Sequence, residues 1–408
     1  MFGNIVLFKN LGFTLEKSSK YVLFVILVTT ICYMLASYSS YYISNMEVYM
    51  MLVSVLLLST FKRNMLSLTE NKKVRPLFIA SFFIYFIITI VIHGEKPSVG
   101  VLCAILMGYY VLSLKPKYKI WLFDRFTTLI AILFGLCVLE FVLAVFLGIS
   151  CIKHTPIYRF DTDAHYFYQG IITIFPYYYQ FGLARFQAFT EEPGLVGTLC
   201  AFMLACLNIK EYKWQMAVFI MCGILSMSLA FYLIFVMWVV YNSLNMKNAK
   251  YNLLLLVFIV AVCFLAQNEI TELVTGRIAE KGSISGLDNR STETFKKAFD
   301  DFLTSSDVVL GRGLRTFHTM FDHTGDSGGN AGAKTFIYSY GLFSMILLFV
   351  TYTKCFLESN GRNTKSFFIL LIFWLSFYQR EYWFTPYNLI PLFMYGAYDS
   401  YISQIKNK

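Results

Sequence analysis

Long apolar segments recur along the chain, separated by shorter polar segments. About 20 residues cross the hydrocarbon of a bilayer as a helix, and most of these segments approach that length. Strand-type alternation of apolar and polar positions is absent, and lipid requires the backbone to satisfy its own hydrogen bonds. The pattern therefore predicts an all-α integral membrane protein with about twelve transmembrane helices. The predicted spans lie near residues 20–38, 47–61, 76–92, 98–114, 127–149, 193–208, 213–226, 229–243, 251–266, 335–353, 366–379 and 385–402.

One apolar stretch, 213–243, is too long for a single untilted span and short for two. We divide it at Ser226, Met227 and Ser228, because small hydroxyl residues can satisfy the backbone of a broken or turning helix. The sequence therefore predicts a helix break at these three residues.

Charge supports the same topology. The sequence is 57% hydrophobic and 14% charged, with a net charge of +10. The basic residues separate the apolar segments and form no single patch, which excludes nucleic acid as a partner. Segments 62–75, 115–125, 210–213, 246–250 and 354–365 are rich in Lys and Arg, so the positive-inside rule makes them cytoplasmic loops and puts both termini in the cytoplasm.

Two long segments, 150–192 and 267–334, then lie on the outer side and carry most of the candidate chemistry. Without an internal repeat, residues 1–408 are interpreted as one polytopic membrane domain with two large outer loops. The second loop contains an amphipathic helix at 291–303, because apolar residues recur on one face at helical spacing. That face carries Phe295, Ala298, Phe299, Phe302 and Leu303. Asn289 or Ser291 is expected to cap the start of this helix.

The stretch 185–194, RFQAFTEEPG, places charged residues at the threshold of a predicted span. Two interpretations stay open. Arg185, Glu191 and Glu192 form a polar collar, with Arg185 extending to the interface and a carboxylate capping the helix. Alternatively, Glu192 acts as a general base whose pKa an apolar setting raises. Pro193 and Gly194 fix the start of the helix in either case.

Three further arginines are candidates for binding an anion. Arg290 precedes the amphipathic helix, and free N–H groups at a helix start together with an arginine suit phosphate or diphosphate. Arg312 and Arg315 lie beside Gly311 and Gly313, and glycines let the backbone approach an anion closely. The alternative for Arg290 is an exposed arginine beside a helix cap. The alternative for Arg312 and Arg315 is a plain turn.

Polar residues close the second outer loop. His318, His323, Asp326 and Asn330 match no zinc spacing that we recognise, and they suit hydrogen bonding to a polyhydroxylated substrate. Arg380 lies at the outer mouth of a predicted helix, where it adds to an anion site or pairs locally.

Other features have a structural interpretation first. Asp161 and Asp163 form a D-x-D, a pair that can hold a divalent ion on a diphosphate, against the alternative of a hydrated loop. Glu140 lies within a predicted span, and we expect it to form an interhelical hydrogen bond. Most of the nine cysteines lie within apolar segments and are expected to be buried thiols.

In combination, three stretches resemble the O-antigen polymerase and ligase superfamily of bacterial surface-polysaccharide assembly. The first is RFQAFTEEPGLVGTLCAF, and the second is NRSTETFKKAFDDFLTSSDVVLGRG. The third is DHTGDSGGNAGAKTFIYSYGL, in which polar loop residues precede a glycine-leucine in the next span. The likeness covers about residues 185–345 and includes the order of the motifs and the two large outer loops.

The resemblance implies a membrane glycosyltransferase of GT-C-type architecture in the bacterial inner membrane, with its active site facing the periplasm. Donor and acceptor would be oligosaccharide repeat units on undecaprenyl diphosphate, joined into O-antigen or a related polysaccharide. The family is regarded as metal-independent, so no cofactor is expected. A chain-length regulator and a flippase would work beside the enzyme.

The resemblance also implies roles for residues. Arg185 and Arg290 would hold the leaving diphosphate and stabilise its developing charge. Glu192 is the first candidate for the base that deprotonates the acceptor hydroxyl, and His323 is the second. Ligases typically show a His-Asn pair before the last span after the large loop, whereas here Gly329 precedes Asn330, which favours a polymerase.

Two alternatives stay open. A ligase would transfer the polysaccharide to lipid A core. A transporter, such as a flippase for the same lipid-linked sugars, belongs to a different class, and transporters usually show internal repeats between halves.

Overall fold

The computed structural model describes residues 15–34, 46–60, 65–147, 153–158, 166–176, 179–180, 183–190, 192–243, 292–322, 332–379 and 386–397. Helices dominate these residues. In chain order they are α1 Lys17–Met34, α2 Met46–Thr60, α3 Leu68–Phe82, α4 Val99–Leu112, α5 Pro116–Val145, α6 Pro193–Cys206, α7 Lys213–Leu225, α8 Leu229–Ser243, α9 Glu293–Leu303, α10 Leu314–Asp322, α11 Gly332–Asn360, α12 Thr364–Gln379 and α13 Pro386–Met394. A π-helical segment, Phe83–Ile92, continues α3.

Membrane-spanning character rests on length and composition. Four helices are long and apolar enough to cross a bilayer: Lys17–Met34, Leu68–Ile92, Pro116–Val145 and Gly332–Asn360. Six shorter apolar helices accompany them within the described parts of the chain. The expectation of a helical membrane protein is therefore confirmed, and each predicted apolar segment falls on a helix except 251–266, which lies outside the described residues. The number of spans stays a prediction.

The helices pack as a bundle around one apolar core. α3 packs on α11, α2 on α1 and α4, and α6 on both α7 and α8. α6 is buried along almost its whole length, so it occupies the centre of this part of the molecule. Among the described residues, seven cysteines are buried free thiols, as expected: Cys32, Cys103, Cys137, Cys200, Cys206, Cys222 and Cys355.

Two predicted cytoplasmic loops, 62–75 and 115–125, are largely helical, which corrects the sequence analysis. α3 already begins at Leu68 and α5 at Pro116. Lys119 is only 2% exposed, and its Nζ lies 2.5 Å from Oε2 of Glu70, while Lys73 Nζ lies 2.8 Å from Oε1. Because a buried charge must be paired, this cluster allows the two helices to extend into the charged segments.

The predicted break in 213–243 is confirmed. α7 ends at Leu225, Met227 has a φ of +48°, and α8 begins at Leu229. Tight packing accompanies the turn, because a Cβ on Gly223 would lie 2.0 Å from the Phe231 ring. The two short helices therefore meet at a closely packed corner.

Small sheets were not expected in segment 150–192, the first of the two loops that the charge pattern predicts on the outer side. Strands β1 Lys153–Tyr158, β2 Tyr166–Gln169 and β3 Ile174–Pro176 form an antiparallel sheet, and β4 Tyr179–Gln180 pairs with β5 Leu183–Ala184. Tyr, Phe and Ile favour strands, and they are frequent in this segment.

The amphipathic helix of the second outer loop is present as α9. Phe295, Phe299 and Phe302 are buried against Phe317 and Tyr338 in a separate aromatic cluster. Two details differ from the sequence analysis. Thr292 provides the cap, since its Oγ1 accepts from the Phe295 N–H at 3.2 Å. Leu303, the last helical residue, is 50% exposed because it lies beyond the packed part of the face.

Candidate functional site

Arg185 stabilises the break between α7 and α8. Its Nε donates to the Ser226 carbonyl and its Nη2 to the Met227 carbonyl, both at 3.2 Å. The Phe186 N–H donates to the Leu225 carbonyl at 3.0 Å. The last carbonyls of a helix have no partner within the helix, and a cation there also offsets the negative end of the helix dipole. Arg185 therefore has a structural role, and its expected contact with a diphosphate stays a prediction.

The segment between Arg185 and α6 is fully buried. Residues 186–190 are each at most 1% exposed. Ala188 has a φ of +50°, and its carbonyl accepts from the Ile174 N–H at 2.6 Å. The segment thus crosses the interior of the protein and is fixed by the first outer loop.

Glu192 is the N-cap residue of α6, with Pro193 in the first turn. Its carbonyl accepts from Thr190 Oγ1 and from the Leu195 N–H, each at 3.0 Å. Its carboxylate makes no capping hydrogen bond to α6, while its position at the helix start still suits the helix dipole. The half-buried carboxylate keeps its place as a candidate base.

Glu140 anchors the first outer loop and makes no interhelical bond of the kind expected. Its Oε2 accepts from the N–H groups of Ile172 and Thr173 at 2.9 Å each, and its Oε1 accepts from the Ile171 N–H. Consecutive backbone N–H groups form a concave anion-binding turn, which explains why a carboxylate is stable here at 7% exposure.

Gly341 interrupts α11, and the glycine-rich segment 311–313 forms hydrogen bonds with the backbone groups that the interruption leaves without helical partners. Gly341 has φ +83° and ψ 162° inside the helix. The Tyr338 carbonyl accepts from the Arg312 N–H at 2.8 Å, the Ser339 carbonyl accepts from the Gly313 N–H at 3.0 Å, and the Phe343 N–H donates to the Val309 carbonyl at 3.2 Å. These glycines therefore serve a backbone junction.

Arg312 is held in place on this junction. Its Nε donates to Asp307 Oδ2 at 2.9 Å, and its guanidinium lies 5.6 Å from the Phe302 ring centroid and 5.7 Å from that of Tyr338. The hydrogen bond to Asp307 raises the pKa of the Arg312 guanidinium above its usual value. The side chain is therefore cationic at every physiological pH and has a fixed orientation.

The loop after the π-helical segment Phe83–Ile92 contacts Leu310 and the start of α10. Glu95 Oε1 accepts from the Arg315 N–H at 2.8 Å and so caps the start of α10. A ring nitrogen of His93 lies 3.0 Å from the Leu310 carbonyl. The free N–H groups at the start of α10 are thus served by a carboxylate of the chain, and the exposed Arg315 side chain extends from the same turn.

A cavity of about 450 Å³ lies between these two segments. Arg312, Asp307 and His93 provide its polar wall, and Ile92, Val309 and Leu310 contribute apolar side chains that are 37–53% exposed. Ligand pockets typically enclose about 300–1,000 Å³. The cavity therefore has the size and the mixed character that suit an amphiphilic anion.

Several predicted site residues lie outside the described parts of the chain: Asp161, Asp163, Glu191, Arg290, His323, Asp326, Asn330 and Arg380. His318 lies on α10, with its backbone alone described. Among the described residues, no group of three or more His, Cys, Asp or Glu side chains is arranged to hold a metal ion.

Three residues of the cavity region were not among the predicted site residues: His93, Glu95 and Asp307. His93 and Glu95 lie at 93–97, in the short connection between the predicted spans 76–92 and 98–114. Their partners are more than 200 positions away in the chain, so no local pattern indicates them. Asp307 stands five residues before Arg312, a spacing that suggests a local ion pair.

Comparison with known proteins identifies no relative. No family model matches the sequence, and neither a curated protein nor a solved structure matches it.

Proposed function

We propose that the chain is a membrane glycosyltransferase that joins lipid-linked oligosaccharide repeat units into a surface polysaccharide at the outer face of a bacterial inner membrane. The donor would carry its glycan on undecaprenyl diphosphate, and an acceptor of the same kind would receive it. About twelve spans, a GT-C-type architecture and a metal-independent reaction belong to this proposal.

The observation that supports it best is the cavity beside Arg312. A lipid-linked diphosphate presents two negative phosphates next to a long apolar chain. The cavity offers a guanidinium of fixed orientation on one wall, and the exposed side chains of Ile92, Val309 and Leu310 on another. Arginine recognises phosphate oxygens through paired N–H groups, and apolar side chains suit the first isoprene units.

This cavity changes the roles that we propose for individual residues. Arg312, with the exposed Arg315 beside it, becomes the first candidate for the group that holds the diphosphate, and Arg290 stays the second. Glu192 remains the proposed base, because its half-buried carboxylate stands at the start of α6. Arg185 supports the corner between α7 and α8.

The test uses the purified full-length protein and one synthetic undecaprenyl diphosphate repeat unit. A ladder of products that persists in EDTA is the expected result. Transfer onto added lipid A core without a ladder would identify a ligase, and movement of the lipid across vesicles without new glycosidic bonds would identify a flippase. Either result would overturn the proposal.

Arg312→Gln tests the cavity itself. A charge-assisted hydrogen bond contributes about 1.5–3 kcal/mol, so we expect polymerisation to fall roughly ten-fold to more than a hundred-fold. Lys297→Gln is the matched control, because Lys297 is an exposed cation on the neighbouring α9. Full activity in Arg312→Gln would exclude this cavity as the donor site and leave the overall function to the ladder assay.

A further inference from the structure

Buried side-chain oxygens lie on α5 and α7, two helices that pack against each other. Asp124 is 1% exposed, Thr127 is fully buried and Gln215 is 4% exposed. Among the described residues, four side-chain oxygens here have no hydrogen-bond partner: Asp124 Oδ2, Thr127 Oγ1, Thr128 Oγ1 and Gln215 Oε1. Buried polar groups are almost always satisfied by protein, water or an ion, so this concentration requires a partner.

Helical spacing directs these oxygens to one seam. Asp124, Thr127 and Thr128 stand at i, i+3 and i+4 on α5 and therefore share a face. The Tyr212 hydroxyl donates to Asp124 Oδ1 at 3.4 Å, which joins the start of α7 to that face. Gln215 follows Tyr212 by three residues, so it lies one helical turn further along the same side of α7.

The carboxylate lacks a counter-charge of its own. A buried ionised carboxylate costs several kcal/mol unless it is paired. The charges that act on Asp124 are those of Arg125 and Glu211, which have opposite signs. The Arg125 guanidinium lies over the Trp121 ring, 5.9 Å from its centroid. One 3.4 Å hydrogen bond from Tyr212 is a weak compensation at that distance.

We propose that Asp124, Thr127, Thr128 and Gln215 form a binding site for one monovalent metal cation with the size and charge of Na⁺. Oxygen ligands without nitrogen or sulfur select hard cations. A single carboxylate balances one positive charge, whereas a divalent ion would leave an excess charge in the interior. The bound cation would join the beginning of α7 to the third turn of α5. This site is separate in sequence and structure from the cavity beside Arg312.

The experiment follows thermal unfolding of the purified full-length protein with a thiol-reactive fluorophore, because the buried cysteines become accessible only on unfolding. NaCl is titrated against choline chloride at constant ionic strength. We expect a saturable onset, followed by a constant increment in the midpoint for each ten-fold rise in Na⁺ above the dissociation constant. Equal midpoints in the two salts would overturn the proposal, and so would a larger effect of Mg²⁺ or Ca²⁺.

Variants assign the effect to the seam. Asp124→Asn removes the charge and should abolish the Na⁺ dependence, while Thr127→Val should weaken Na⁺ affinity about ten-fold in a folded protein. Asp301→Asn, an exposed carboxylate on α9, is the control and should keep the full dependence. If Asp124→Asn does not fold, Thr127→Val with direct ²³Na⁺ binding by equilibrium dialysis decides the question. If Asp124 is protonated and donates a hydrogen bond itself, none of these proteins should depend on Na⁺. That result would overturn the proposal.

Discussion

At the scale of single residues, backbone conformation and buried charge determine which side chains are replaceable. Gly341 and Glu140 are the strongest cases. The glycine combines a positive φ with a close backbone contact, and the carboxylate satisfies three backbone donors. Each residue therefore has a role that no other side chain can take without a structural change.

Gly341→Ala is expected to destabilise the protein. The new Cβ would meet the Val309 carbonyl oxygen at 2.2 Å in a left-handed conformation, and such strain costs about 1–3 kcal/mol before the clash is counted. Gly135→Ala is the matched control, because no atom lies within 4 Å of its Cβ position on α5. The thermal midpoint should fall for the first variant and stay equal or rise for the second. Equal midpoints for Gly341→Ala and wild type would contradict the junction described above.

Glu140→Ala should release the loop that leads to the buried segment 186–190. Hydrogen bonds to a charged group contribute about 1.5–3 kcal/mol each, and three donors would lose their acceptor. Glu140→Gln keeps one acceptor oxygen and should lie between alanine and wild type. Hydrogen exchange at residues 171–173 measures the effect directly. Unchanged protection in Glu140→Ala would show that the carboxylate is not the anchor.

At the scale of elements, the sequence predicted helices well and their connections poorly. The break at 226–228 was visible because serines interrupt a long apolar stretch. Segments 62–75 and 115–125 were expected to be loops and are largely helical, because the pairing of Lys119 with Glu70 across two helices offsets the cost of burying both charges. Local patterns cannot indicate a partner that is 49 residues away.

The candidate site follows the same rule. The glycines at 311 and 313 were recognised, yet their function depends on the opened backbone of α11 at Gly341. Arg185 was recognised as important, yet its described partners are carbonyls of residues 226 and 227, some forty positions later. The sequence therefore indicated which residues are important, but not which residues they contact.

Arg185→Ala is expected to loosen the corner between α7 and α8. Two hydrogen bonds to helix-end carbonyls are lost, so the free energy of unfolding should fall by about 1–3 kcal/mol. The thermal midpoint should fall with it. Arg185→Lys retains the charge without the planar fork and should recover part of the loss. A variant that loses glycosyl transfer at an unchanged midpoint would assign Arg185 to substrate instead.

At the scale of the whole molecule, topology is the property that joins fold to proposed function. The charge pattern predicts that the 207–212 turn is cytoplasmic and that α9 lies outside. Lys210 and Lys297 are both exposed lysines, which makes them a matched pair.

Lys297→Cys should react with a membrane-impermeant maleimide added outside intact spheroplasts, and Lys210→Cys should react only after the membrane is opened. Both variants are made in a Cys151→Ser, Cys263→Ser background, which should stay almost unlabelled because its remaining seven cysteines are buried. The reverse pattern would put the cavity beside Arg312 in the cytoplasm and exclude a periplasmic active site.

The short helices on either side of the Met227 corner have a consequence for the surrounding lipid. With 13 residues in α7 and 15 in α8, these helices are about 20–23 Å long, against about 30 Å of hydrocarbon. Both expose apolar side chains, including Met221, Leu233 and Val240. Because the cost of hydrophobic mismatch rises with each ångström, the bilayer should become thinner along this flank. A diphosphate headgroup that approaches there would lie deeper relative to the protein than in the surrounding membrane.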